Sequence, residues 1–254
     1  MKNDDQFLST MKWIAIFTIA LCLFLAWDAD SSESWNNYLK EDIYGSQQII
    51  QRDHIIIDAP YRALDSAGVE IFILNAGAVN HDYNKLTLII DENPTPCCAI
   101  FEFMGIRPAL ATNVRINAYT DLTVIAEDEM KNLTYNQKYI KAAGGCSAPP
   151  VVSSVMDPGT IQVFQNNSQL RVAIFHPNYT GMQFDQLTRA EIPAEYIEKV
   201  KLYVDNEHVF SYSGTIGIGQ NVFFELPIYA SGKSIKVIAN DNLGNEFNYD
   251  NNIN

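Results

Sequence analysis

The chain has 254 residues and a formal net charge of −13 at pH 7, with 47% hydrophobic and 19% charged residues. This length and composition are those of a globular protein with one large or two modest domains. The acidic balance and the lack of any run of Lys or Arg argue against a nucleic-acid partner, which needs a basic surface to neutralise phosphates.

An apolar segment from Trp13 to Trp27 lies near the N-terminus, with Lys12 before it and Asp28 and Asp30 after it. This charge order is typical of a secretory signal whose C-terminal side crosses the membrane. The segment is shorter than the roughly 20 residues of a membrane-spanning helix, and no clean small-x-small cleavage site follows it. We therefore assign residues 1–33 to a signal peptide or membrane anchor and expect an exported protein, with residues 13–27 as the tether if the segment is retained.

The rest of the chain is predicted to be one short helix followed by strands. Trp35, Leu39 and Ile43 recur at helical spacing, which predicts an amphipathic helix from Ser34 to about Ile50. Short segments rich in β-branched and aromatic residues follow, separated by turn residues, and they indicate an all-β sandwich. The first series is predicted at 69–74, 86–90, 99–103, 114–119, 122–126 and 138–141, and the second at 161–164, 170–175, 200–204, 209–212, 222–226 and 234–239.

We divide the strands into two sandwich domains, residues 34–150 and 161–254, with a polar linker at 151–160. Gly144, Gly145 and Cys146 stand at the end of the first domain, followed by Pro149 and Pro150. Glycines bend freely and are narrow, and prolines make an extended exit, so this pattern predicts a thiol on a slim, flexible arm between the domains. The alternative is a Gly-Gly turn with a structural cysteine.

Three cysteines lie outside the apolar segment: Cys97, Cys98 and Cys146. In an oxidising compartment three cysteines cannot all pair within one chain. Cys97 and Cys98 are either two small core residues at a strand start or a strained vicinal disulfide. In both cases the solitary thiol is Cys146.

Several motifs resemble those of SoxY and SoxZ, the sulfur-carrier subunit of the periplasmic thiosulfate-oxidation system and its partner. The SoxY-like motifs are Ile55–Pro60, followed by Ala63 and Gly68-Val69, and the Gly-Gly-Cys at 144–146; the SoxZ-like motifs are 176–181, 192–197 and 241–244. Their order in one chain is similar to that of the fused SoxYZ-like carriers associated with quinoprotein (pyrroloquinoline quinone, PQQ) dehydrogenases.

This resemblance implies a periplasmic protein of two immunoglobulin-like sandwiches packed together. It also implies that Cys146 is the attachment point of a sulfur-containing or similar small group, with Gly144 and Gly145 giving the arm its slimness. Partner enzymes, among them a quinoprotein dehydrogenase, would act on the adduct, and the protein itself would have no cofactor and no catalytic turnover. The sequence departs from the family at 147–150, where Ser-Ala-Pro-Pro replaces the trailing glycines. The arm is therefore tethered at both ends, and from Lys141 to Cys146 it reaches on the order of 17 Å.

Two other chemistries are less well supported by the residues. A thiol enzyme needs a base beside the cysteine, and His176, which follows a predicted strand, is the histidine placed to approach the arm. The remaining histidines are His54, His81 and His208. No residues have zinc-type spacing, and the polar run at Asp241–Glu246 lacks the EF-hand pattern, so we predict no metal site. An accessory protein that binds a PQQ-dependent dehydrogenase without sulfur chemistry remains the alternative function.

Overall fold

The computed structural model describes residues 33–75, 83–149 and 156–253, and the account below concerns these residues. The apolar segment at 13–27, predicted as a signal or anchor, lies outside them, as does the first half of the predicted linker at 151–160. Within the described ranges, no helix is both long enough and apolar enough to cross a membrane.

The predicted N-terminal helix is present but shorter than expected. A π-helical segment, Trp35–Leu39, continues into helix α1, Lys40–Tyr44. The helix ends there because Gly45 takes a positive φ of 59° and its N–H caps the Glu41 carbonyl.

Seventeen strands follow the helix, so the predicted all-β fold is confirmed. The first eight are β1 (Ile49–Gln51), β2 (Ile55–Asp58), β3 (Val69–Asn75), β4 (Tyr83–Ile90), β5 (Cys97–Phe103), β6 (Ala109–Val114), β7 (Thr120–Asp128) and β8 (Leu133–Ile140). The remaining nine are β9 (Thr160–Asn166), β10 (Gln169–Phe175), β11 (Gln183–Phe184), β12 (Glu191–Ile192), β13 (Ile197–Val204), β14 (Glu207–Gly214), β15 (Phe223–Leu226), β16 (Ser234–Asp241) and β17 (Glu246–Asn252).

The strands form two large sheets that face each other and one small hairpin. The nine-stranded sheet has the order β1-β8-β7-β4-β5-β14-β13-β16-β17, and the six-stranded sheet has the order β2-β3-β6-β15-β10-β9. Strands β11 and β12 form the hairpin. Side chains alternate along the strands, so that Val124 of β7 points into the main core while Ile125 packs on the other face against Trp35 of the helix.

Both sheets run without a break from the first half of the chain into the second. In the larger sheet β5 pairs antiparallel with β14, which places Phe101 opposite Tyr212 and Phe103 opposite Phe210. In the smaller sheet β15 pairs with β6. The two predicted sandwiches are therefore joined edge to edge, and pairing removes the exposed strand edges that separate domains would present.

The hydrophobic core is likewise shared between the two halves. The ring centroids of Phe101 and Tyr212 lie 5.7 Å apart, and those of Tyr212 and Phe224 lie 4.9 Å apart. Such aromatic pairs contribute about 0.5–1.5 kcal/mol each beyond the burial of their surface. The expectation that an arm between the halves sits between two separate bodies is wrong, because one core continues across the junction.

The shared sheets predict that the two halves unfold together. Ile235 in β16 is fully buried in the second half, and Ile235→Ala should lower the free energy of unfolding by about 2–5 kcal/mol. Amide hydrogen exchange should show that loss equally in β16 and in β7 of the first half. Leu243→Ala, at an exposed position of the second half, is the control and should change neither. Loss of protection confined to β9–β17 would contradict the shared core.

Candidate functional site

The Gly-Gly-Cys segment is a loop packed against the protein, and not the flexible arm that the sequence predicts. After β8 the backbone N–H groups of Gly144 and Gly145 donate hydrogen bonds to the carbonyls of Asn117 (2.7 Å) and Ile116 (3.0 Å). Gly144 has a φ of 77°, in the left-handed region that favours glycine. The backbone N–H of Ser147, three residues later, donates a hydrogen bond of 3.2 Å to the Gly144 carbonyl. The glycines therefore serve a tight turn.

Gly145 is required by close packing of two backbones. A Cβ at this position would lie 2.0 Å from the carbonyl oxygen of Ser66 and 2.6 Å from that of Ile116. The loop before β3 and the segment after β6 both press on this residue, and they are joined by a hydrogen bond from the Ile116 N–H to the Ser66 carbonyl. The missing side chain of Gly145 lets the loop pack against these two carbonyls within the protein itself. It does not serve here for entry into a narrow passage of another protein.

The Cys146 side chain is fully buried, which corrects the prediction of an accessible thiol. Burial raises the pKa of the Cys146 thiol to about 11, and the nearby positive charge of Arg115 opposes that rise only in part. About one thiol in 10⁴ is then ionised at pH 7. Because the thiolate is the nucleophile, the thiol is unreactive as long as the loop keeps this position. The flanking Ser147 is exposed, so the loop leaves the core one residue later.

A buried arginine holds the loop from beneath. Arg115 directly follows β6 and has no exposed surface. Its Nη1 donates to the Gly145 carbonyl at 3.0 Å, and its Nη2 donates to the carbonyls of Asn178 at 3.2 Å and Pro177 at 3.4 Å. No described carboxylate forms an ion pair with this guanidinium. Burial lowers the pKa of Arg115, while the charges of Cys146 and Asp65 oppose that change; an arginine remains a cation under these conditions.

The second half of the chain holds the loop from the other side. Thr180 Oγ1 donates a hydrogen bond of 2.5 Å to the carbonyl of Cys146. Asn178 is fixed in turn by a bond of 2.6 Å from its Nδ2 to the Gly219 carbonyl. The segment 176–181, singled out in the sequence as SoxZ-like, therefore lies against the Gly-Gly-Cys segment, singled out as SoxY-like.

His176 belongs to this segment, but the described contacts of its ring are with residues other than Cys146. Its Nδ1 lies 3.0 Å from Asn178 Oδ1, and its Nε2 faces Glu195 and Asp241. None of these described contacts is with Cys146, so His176 is not placed to act as the base of a thiol enzyme. His208 bonds Ser211 and His54 bonds Tyr83, and His81 lies outside the described residues.

The other two cysteines are free thiols. Cys98 is fully buried and Cys97 is half-buried in β5. Burial raises the pKa of Cys98 strongly, and the neighbouring Cys97 and Cys146 thiols raise it further. The described structure therefore holds neither a vicinal disulfide nor a bond from Cys146 to the strand.

The sequence analysis did not identify Arg115 and Thr180 as candidate site residues. Alternation along a strand would place Arg115 on the surface, because Val114 and Ile116 on either side are apolar, yet all three are buried. Thr180 had one signal, its place in the segment 176–181.

Comparison with known proteins gives two family matches, one for each half of the chain. Residues 40–146 match the family of the sulfur oxidation protein SoxY, and the match ends on Cys146. Residues 161–251 match the family of the sulphur oxidation protein SoxZ. No curated protein sequence matches the chain.

Solved structures show more distant likenesses. The sulfur carrier protein SoxY from Chlorobium limicola f thiosulfatophilum is 19% identical over 40% of this chain and 86% of its own, with a TM-score of 0.35. The fibronectin(III)-like modules of Clostridium thermocellum CbhA are 12% identical over 78% of this chain and 92% of theirs, with a TM-score of 0.23. The BSP domain of a biofilm-associated protein is 10% identical over 84% of this chain and 31% of its own, with a TM-score of 0.26.

The contacts of Gly145 predict how the thiol can be released. Gly145→Ala puts a Cβ onto the Ser66 carbonyl, so the loop should leave its seat and Cys146 should react with iodoacetamide at least tenfold faster than in the wild type. Peptide mass spectrometry locates the label, and protection of Cys98 confirms that the fold is intact. Gly68→Ala is the matched control, because its Cβ would make only an ordinary contact of 3.5 Å with Asp65. Wild-type labelling of a folded Gly145→Ala protein would contradict the packing account.

Proposed function

Because the chain belongs to the fused SoxYZ-like proteins, with a SoxY region followed by a SoxZ region, we propose that it is a covalent carrier of a sulfur-containing group on Cys146. The observation that supports the proposal is the environment of Cys146, a single thiol on a glycine loop. We call the buried position that this loop occupies its seat: Arg115 bonds the loop from the first half of the chain and Thr180 bonds it from the second. The SoxY match ends on Cys146. The carried group is proposed to be small, because the seat is fully enclosed.

The carrier works through two positions of the loop. In the closed position the thiol is buried and protonated, as the structure has it. In the open position the loop leaves its seat, and a partner enzyme reaches the thiol. The loop is held by a small number of hydrogen bonds worth about 0.5–1.5 kcal/mol each, so opening falls in the range of local fluctuations and does not require the sheets to unfold. On the far side of Cys146 the chain is exposed at Ser147 and Pro149, so opening disturbs little packing there.

Arg115 suits the closed, loaded state. A persulfide or a thiosulfonate on Cys146 is anionic near neutral pH, and a buried anion needs a cation or several donors. The Arg115 Nε has no hydrogen-bond partner among the described residues, and no described carboxylate forms an ion pair with the guanidinium, although the charge of Asp65 acts on it. The seat is thus electrostatically better matched to a charged adduct than to a neutral thiol. We propose that the loaded group is sheltered there from water and from other thiols between visits to partner enzymes.

Loading requires no catalysis by the protein itself. In the simplest case the Cys146 thiolate attacks the outer sulfur of a donor persulfide. The donor S–S bond breaks, the donor leaves as a thiolate that takes up the proton released from Cys146, and a persulfide forms on Cys146. Two-electron oxidation and reduction balance within this exchange. Enzymes that supply or consume the adduct are the partners, and a quinoprotein dehydrogenase is among the proposed ones.

We propose a periplasmic location, which the charge order around residues 13–27 supports. Retention of this segment would tether the carrier at the inner membrane and raise its local concentration near membrane-bound partners. Its removal would leave a free carrier.

The second candidate is an accessory protein that binds a PQQ-dependent dehydrogenase without sulfur chemistry. The full burial of Cys146 and its raised pKa favour this reading, because a thiol that never leaves its seat is a structural residue. In that case the contacts between segment 176–181 and the loop would only stabilise the packing of the two halves.

Intact-mass measurement separates these functions. Exported protein from the periplasmic fraction is incubated with glutathione persulfide, and its mass is measured with and without dithiothreitol. The carrier gains one sulfur atom that maps to Cys146 and is lost on reduction, whereas Cys146→Ser gains none there and Cys98→Ser behaves as wild type. The same spectra show whether residues 1–33 are removed. An unmodified Cys146 in protein whose half-buried Cys97 does react would favour the accessory protein.

A further inference from the structure

We propose that His176, Glu195 and Asp241 form a binding site for a single divalent transition-metal ion. The three residues come from distant segments: His176 follows β10, Glu195 precedes β13, and Asp241 ends β16. One nitrogen and two carboxylate oxygens, one from each residue, lie within 4.8 Å of one another. None of the three residues has a described contact with Cys146, so the site is distinct from that of the thiol.

The Nε2 atom of His176 is the first argument for the site. The side chain is completely buried, and Nε2 has no hydrogen-bond partner among the described residues. It lies 3.8 Å from Glu195 Oε1 and 4.0 Å from Asp241 Oδ2, which is too far for hydrogen bonds. A buried polar atom without a partner costs about 1–3 kcal/mol. A metal ion between the three atoms would satisfy all of them.

The opposite side of the ring is arranged as in metal-bound histidines. The Asn178 backbone N–H donates a hydrogen bond of 3.1 Å to Nδ1, and Asn178 Oδ1 lies 3.0 Å from the same atom. The side-chain amide is fixed in orientation, because its Nδ2 donates to Gly219 and its Oδ1 accepts from the N–H of Ile197. Its oxygen is thus turned toward Nδ1 as an acceptor. Metal binding at Nε2 uses the tautomer with the proton on Nδ1, in which Nδ1 donates to Asn178 Oδ1 in place of accepting from the backbone N–H. A partner at the outer nitrogen is the usual orienting contact of metal-binding histidines.

The carboxylates supply negative charge that no described Lys or Arg neutralises. Asp241 is 2% exposed, and its Oδ1 accepts from the N–H groups of Leu243 at 2.9 Å and Asn245 at 2.8 Å. Its Oδ2 accepts from Asn245 Nδ2 at 2.7 Å and keeps a lone pair on the His176 side. Glu195 is 33% exposed in its side chain and leaves the site open to solvent for an entering ion and a bound water.

The donor set indicates the class of ion. Imidazole nitrogen favours zinc and its first-row neighbours over Ca²⁺ and Mg²⁺, which prefer all-oxygen sites. Ligand bonds of about 2.0–2.2 Å around a tetrahedral ion place ligand atoms about 3.3 Å apart. The two distances from Nε2, 3.8 and 4.0 Å, therefore need to close by roughly 0.5 Å each. Movement of the partly exposed Glu195 side chain provides the first of these two changes, and a small shift of His176 or Asp241 provides the second.

The test uses Co²⁺ alone on the full chain after treatment with a chelator, because cobalt reports its ligands in its spectrum. The wild type should bind one Co²⁺ with a visible ligand-field spectrum and without a thiolate-to-cobalt charge-transfer band, and Zn²⁺ should displace it. Glu195→Gln and Asp241→Asn should each weaken the affinity at least tenfold. Glu246→Gln, an exposed carboxylate of the adjoining hairpin, is the matched control and should bind as the wild type does.

Three outcomes would overturn the site. They are failure of the wild type to bind Co²⁺ or Zn²⁺ at millimolar concentration, a spectrum with thiolate ligands, and unchanged affinity in both folded variants. Protection of Cys98 from alkylation shows that each variant is folded. If Asp241→Asn fails this check, Glu195→Gln decides the question, because its partly exposed side chain has no described structural bond other than its approach to His176.

Discussion

The buried guanidinium of Arg115 is the constraint around which the candidate site is built. A cation without a carboxylate partner is expensive inside a protein, and here the carbonyl groups of Gly145, Pro177 and Asn178 offset that cost. One carbonyl belongs to the glycine loop and two belong to the second half of the chain. Satisfying Arg115 therefore positions the loop, brings the two halves together above it, and places Cys146 beside a positive charge. The continuous sheets beneath make this arrangement rigid.

A carrier thiol must be protected when idle and exposed when handled, and the closed loop explains the first requirement. The raised pKa of Cys146 suppresses the thiolate, so side reactions with oxidants are slow in this state. Exposure of the thiol depends on movement of the loop alone, because the shared core leaves no hinge between two separate bodies. Tethering at both ends restricts the open loop to a short excursion, so a partner enzyme must come to the carrier surface. The proposed metal ion would stiffen segment 176–181 without touching the thiol.

Much of the fold could be predicted from the sequence, because short β-branched runs between turn residues are a local signal. The helix and the strand-rich halves were both predicted in this way. The continuity of the sheets was not, since the pairing of β5 with β14 is a contact between distant segments that alternation does not encode. At the site, Gly144, Gly145 and Cys146 were found by composition, but their packed conformation depends on Ser66, Ile116 and Arg115. The carboxylates near His176 were missed because metal spacing was sought along the chain and the fold assembles it in space.

The central claim is that the Cys146 loop opens while the sheets stay folded. The urea dependence of thiol labelling measures this directly, because denaturant accelerates an opening in proportion to the surface it exposes. Cys98, fully buried in β5, serves as an internal reference for global unfolding. At urea concentrations below the unfolding transition, we expect Cys146 to be labelled faster than Cys98 and with a much weaker dependence on urea. Equal rates and equal urea dependence for the two cysteines would show that Cys146 is reached only through global unfolding, and would contradict the account.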